Sequence, residues 1–130
     1  MDFRRTLTLT LLLSVCATAH ATNHQKKQAS VARCFFVFAP ILEHAKLIKN
    51  EALESYAMQR MLYIRGFMEN LTDDPNFKFV FESNLSKNRT AGILLSDALN
   101  TATKNNDNAA FNQELRKGED CDKELGIKTK

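Results

Sequence analysis

Four glycines and two prolines are few turn-formers for an all-β chain, which draws on such residues at nearly every reversal. Strand-like stretches do occur. "CFFVF" (34–38) and "FKFVF" (77–81) are aromatic and β-prone, and Phe77, Phe79 and Phe81 alternate. With so few turn residues to connect strands, however, helices are expected instead.

An excess of one charge is also missing. Against 18 Lys and Arg stand 15 Asp and Glu, a formal net charge of +3. Proteins that bind nucleic acid or anionic membranes gather many cations on one face. Here Glu43 and Lys46, Glu114 and Lys117, and Glu119 and Lys123 are helix-spaced opposite pairs, which read as solvated faces. Neither kind of partner is implied.

No apolar run is long enough to span a bilayer, which takes about 20 residues. The best stretch, "TLTLTLLLSVCATA" (6–19), is shorter and mixes Thr with Leu. It follows Arg4 and Arg5 and leads into two small-x-small triplets, Ala17-Thr18-Ala19 and Ala19-His20-Ala21. A basic start, a short apolar core and a small-residue cleavage site describe a secretory signal peptide. The arginine pair alone is a weak twin-arginine signal, and Val15 before Cys16 is too large for a lipoprotein box. Cleavage after Ala21 is favoured over Ala19. It divides the chain into a signal peptide (1–21), a mobile polar arm (22–29), one helical domain (30–125) and a frayed tail (126–130). The mature protein is expected to be exported, periplasmic or secreted, without stable membrane insertion.

Catalytic signatures are absent. There is no Gly-x-Ser-x-Gly, no phosphate-cradling glycine loop and no His-Glu-x-x-His. After cleavage, His24 and His44 are the histidines left to serve a Ser-His-Asp site. Neither an enzyme nor a cofactor is expected.

The chain has three cysteines, and removal of the signal takes Cys16. Cys34 and Cys121 remain, one near each end of an exported chain, and are expected to form a disulfide. Closing a loop of roughly 90 residues restrains the unfolded chain by about 4 to 5 kcal/mol on the chain-entropy model.

Apolar residues recur at helical spacing. Cys34, Phe38, Leu42 and Ala45 form one stripe, and Leu53, Ala57, Met61, Ile64, Met68 and Leu71 form a second. Pro40 either starts or kinks a helix. Gly66 marks a bend or a close backbone approach. Asp74 and Pro75 fit an N-cap and first-turn position, followed by a stripe of Phe77, Val80, Phe81 and Leu85. "SKNRT" (86–90) reads as a break, after which Ile93, Leu94, Ala98 and Ala102 resume. "KNNDN" (104–108) caps a last helix carrying Phe111 and Leu115. The expected fold is all-α, a bundle of four or five helices with Cys34–Cys121 joining the first to the last.

Three groups are candidates for function. Cleavage after Ala21 would make Thr22-Asn23-His24 the mature N-terminus, where an amine, two amides and an imidazole supply the planar nitrogen set that Cu(II) and Ni(II) favour. Tyr56, Arg60 and Tyr63 share a helix face and are of interface-favoured types. Met58, Met61 and Met68 form a stripe that reads as core packing rather than as a Cu(I) site. His44 reads as a surface or capping residue. The function expected is a non-catalytic exported interaction protein that binds another protein through a helical face, as an inhibitor or immunity-type partner would. An extracytoplasmic Cu/Ni-binding protein is the alternative.

Overall fold

A computed structural model describes residues 3–71 and 73–128, with side chains from residue 25 onward. The signal peptide expected over 1–21, and the side chains of Thr22, Asn23 and His24, lie outside the described side chains. Five helices follow one another: α1 (Phe3–Leu47), α2 (Glu51–Glu69), α3 (Pro75–Ser83), α4 (Leu85–Lys104) and α5 (Asn108–Leu125). Among the described residues there is no strand, so the alternating Phe77, Phe79 and Phe81 lie in α3. Phe77 is buried, whereas Phe79 is 72% exposed. No described helix is long and apolar enough to cross a membrane.

α1 is the axis of the bundle. It packs against α2, α3, α4 and α5, and its two neighbours α3 and α4, like α4 and α5, also touch one another. Its stripe of Cys34, Phe38, Leu42 and Ala45 is buried throughout, together with Val31, Val37 and Ile41. The expected stripe on α2 faces this axis, with Ala57 and Ile64 fully buried and Leu53, Met61, Met68 and Leu71 packed beside them. The Cys34–Cys121 disulfide joins α1 to α5, with 5.7 Å between the Cα atoms, a usual span for such a bond.

Local chemistry sets the helix ends. Asn50, Asp74 and Asp107 cap α2, α3 and α5, each accepting a backbone N–H from the first turn. Pro75 follows its cap at the first helical position. Lys49, Asn106 and Gly126 take the left-handed conformation just past α1, α4 and α5. Beyond each, the next N–H reaches back to Ala45 O, Ala102 O and Asp122 O, as helix-terminating motifs do. The 126–130 segment is thus not frayed at its start: Ile127 donates to Asp122 O and packs against the core.

The 22–29 stretch continues α1 instead of forming a loose arm. Gln28 is fully buried and donates to Asp74 Oδ2 at 3.1 Å. Lys27 Nζ donates to Leu125 O at 3.0 Å, where a cation meets the negative end of α5.

α4 differs most from expectation. "SKNRT" lies inside it, and the break falls one residue earlier than this segment's neighbour Leu85, at Asn84. Its inner face is Asn88, Gly92, Leu95, Leu99 and Ala102, while Ile93 and Leu94 are 61% and 63% exposed. The reason lies in α1. Pro40 sits within that helix and has no N–H for the carbonyl of Phe36 four residues back. α4 approaches at this point: a Cβ on Gly92 would stand 3.0 Å from Phe36 O. A glycine, not a large apolar residue, therefore chooses the packed face.

Gly66 is the opposite case. Nothing lies within 4 Å of a Cβ built there, so no backbone packs against it. Gly66→Ala is expected to raise stability by about 1 kcal/mol through helix propensity. Gly92→Ala is expected to lower it by about 1 to 3 kcal/mol through overpacking. Urea unfolding of both variants measures the contrast, and equal shifts would contradict it.

Candidate functional site

α2 and α3 both rest on α1, yet their backbones do not pack on each other. The space between them is an open cleft of about 770 Å³, within the range of roughly 300 to 1,000 Å³ usual for ligand clefts. Phe35 and Leu42 of α1 form its floor. Met58, Met61, Leu62 and Met68 line the α2 wall, and Phe77 and Phe81 the α3 wall. Charges sit on the rim in helix-spaced pairs, Arg65 with Glu69 on α2 and Lys78 with Glu82 on α3. Arg65 Nε donates to Glu69 Oε1 at 3.1 Å. Leu62 is 58% exposed and Met58 38%, so the apolar lining continues onto the outer face of α2. The methionine stripe thus borders a cleft, where unbranched thioether side chains adapt to varied shapes. Among the described residues no cluster of His, Cys, Asp or Glu could hold a metal ion.

The Tyr56, Arg60 and Tyr63 face is turned against α5. Tyr56 Oη donates to Asp122 Oδ2 at 2.8 Å, and Arg60 donates from Nε to Oδ1 at 2.7 Å and from Nη2 to Oδ2 at 3.3 Å. The Arg60 guanidinium also lies over the Tyr56 ring, 4.7 Å from its centroid. Tyr63 Oη donates to Leu125 O at 3.4 Å and remains 43% exposed. Tyr56 and Arg60 therefore hold the bundle together rather than forming a free contact patch. They span the distance between α2 and α5, whose backbones do not approach each other. The sequence carries no mark of Asp122's role beyond its place beside Cys121, which the disulfide brings to α1.

Burial, then the hydrogen bond and charge of Asp122, push the Tyr56 hydroxyl pKa well above its ordinary value of 10.0. The hydrogen bond to Asp122 likewise raises that of Arg60. A group whose pKa is higher folded than unfolded adds stability that is complete below its unfolded value and is lost as the pH rises beyond it. Stability should therefore fall progressively from about pH 10 toward pH 12, more steeply in the wild type than in Tyr56→Phe. Denaturant midpoints across that interval measure the difference, and parallel profiles would contradict it.

His44 is not at the surface. It is 4% exposed, with Nδ1 3.0 Å from Asn100 Oδ1 and Nε2 2.8 Å from Thr103 Oγ1, and its ring rests on Phe111. Hydroxyl, imidazole and amide thus stand in the order of a nucleophile, base and orienting group. The N–H groups that follow Thr103 are engaged, however: Asn105 to Thr101 O, Asn106 to Thr103 O and Asp107 to Ala102 O. They are therefore not free to act as oxyanion donors, and the trio links α1 to α4 through polar contacts. Set against known protein families, curated proteins and solved structures, the chain matches none of them.

Proposed function

We propose that this is a non-catalytic exported interaction protein whose α1–α2–α3 cleft receives an amphipathic helix of a partner protein, as an inhibitor or immunity-type binder would. One observation carries this: the helices around α1 leave an open sector between α2 and α3, lined with Met, Leu and Phe. Helix-in-groove recognition uses such a surface, with apolar anchors at i, i+3, i+4 and i+7 entering the groove. The rim favours a helix over a simple apolar ligand. Both walls carry one cation and one anion four residues apart, matching the mixed charges that flank an apolar helix stripe. Export is supported by the signal-like first residues, and a buried disulfide without a spanning helix among the described residues is compatible with it.

A photo-crosslinking residue at Leu62 tests the occupant. The expected product is a crosslink to a protein segment with helical apolar spacing, whose synthetic peptide binds the purified chain. Leu62→Glu should weaken that peptide at least tenfold by removing a buried apolar contact of about 1.5 to 3 kcal/mol, with the fold unchanged because Leu62 is exposed. Crosslinking to a small apolar molecule or lipid alone, or undiminished peptide affinity in Leu62→Glu, would overturn the proposal.

A further inference from the structure

A second recess, of about 410 Å³, lies on the other side of the bundle, where α1, the start of α4 and the end of α5 meet. Lys26, Ser30 and Arg33 line it from α1, at helical spacings that put them on one face. Asn84, Lys87 and Asn88 line it from the first turn of α4, and Glu124 from α5. Three cations thus face a single carboxylate, and that carboxylate is paired with Arg33.

Two independent features give the recess donors without acceptors. α2, α3 and α5 each have a side chain capping the first turn, whereas α4 has none. Asn84 turns its amide away, donating Nδ2 to Val80 O at 2.8 Å. Among the described residues the N–H groups of Leu85, Ser86 and Lys87 have no backbone acceptor either, and Lys87 lines the recess. Asn88 is the second feature. It is 6% exposed and borders the recess, yet its side chain makes no hydrogen bond to any described residue. Its amide opens into the recess instead of being sealed in the core, so a group bound there would meet it.

We propose that this recess binds a phosphomonoester-type oxyanion, either free phosphate or a phosphate carried on a larger molecule. A helix N-terminus with free N–H groups attracts such an anion. Arg33 and the two lysines add charge-assisted bonds, and the Asn88 amide donates from the inner wall. The excess of cations over Glu124 matches a dianion. The proposal does not depend on what occupies the α2–α3 cleft.

The test titrates inorganic phosphate into the full-length, disulfide-intact protein at constant ionic strength, followed by ¹H–¹⁵N NMR. Saturable shifts are expected at the backbone amides of Leu85, Ser86 and Lys87 and at the side-chain amide of Asn88. A Lys26→Gln/Lys87→Gln variant, altered only at exposed positions, should keep the spectrum elsewhere and bind about tenfold more weakly or worse. Vesicles containing phosphatidic acid separate the sources. Co-sedimentation that phosphate competes away points to a lipid headgroup, and its absence alongside saturable shifts points to a soluble ligand. Shifts no larger than those caused by chloride, or equal affinity in the lysine variant, mean an adventitious ion only and overturn the proposal.

Discussion

Replacing Cys34 and Cys121 together by alanine is expected to lower the unfolding free energy by about 4 kcal/mol. The two cysteines are 87 residues apart in sequence, so the bond closes most of the helical domain into one loop. The unfolded chain gains the freedom of that loop when the bond is gone. Total stabilities of roughly 5 to 15 kcal/mol are usual, so the loss takes a large share, and the Tm should fall by about 15 °C or more. Both sulfurs are completely buried. A reductant therefore reaches them only after the bundle opens, and reduction of the native protein should be slow and should quicken with added denaturant. Calorimetry and thiol counting measure these outcomes. A loss below about 1 kcal/mol would mean that α5 is held by its packing on α1 and α4 without the staple.

Asp122→Ala is expected to cost about 3 to 5 kcal/mol, the usual result of removing one partner from a buried ion pair. The Arg60 side chain is 13% exposed and that of Asp122 2%, so the stranded guanidinium has little access to water. Tyr56 Oη loses its acceptor in the same step. The effect should be localised. The backbones of α2 and α5 do not pack on one another, and this side-chain bridge is a main tie between them. Hydrogen exchange in α2 should quicken more than in α4. Because α2 forms one wall of the proposed binding cleft, peptide affinity should fall as well. An Asp122→Leu/Arg60→Met/Tyr56→Phe variant, with no charge to bury, should recover most of the stability. If Asp122→Ala unfolds at the wild-type midpoint, the bridge contributes nothing.

The cleft is only partly legible in the sequence. Its methionines stood out as a stripe, but a stripe says which residues share a face and nothing about whether that face is covered. Met58 and Leu62 border open space because α2 and α3 both pack on α1 and leave a gap. That gap depends on the angles at which two helices settle, which no local spacing records. Tyr56 and Arg60 were legible as neighbours on one face; that they face inward depends on Asp122, more than 60 residues away. His44 is similar, since its partners Asn100 and Thr103 lie on α4.

Residue spacing and end chemistry by themselves determined that the chain is helical, where α3 and α5 begin, which faces of α1 and α2 turn inward, and which two cysteines join. Those properties are set within a few turns of helix, or by the placing of Cys34 and Cys121 near the two ends of the helical region. Only the tertiary structure decided the inner face of α4, the burial of His44 and Asp122, and the existence of both recesses. Each of these arises where helices distant in sequence meet: at a carbonyl freed by Pro40, at a glycine narrow enough to approach it, and at polar groups whose partners come from another helix.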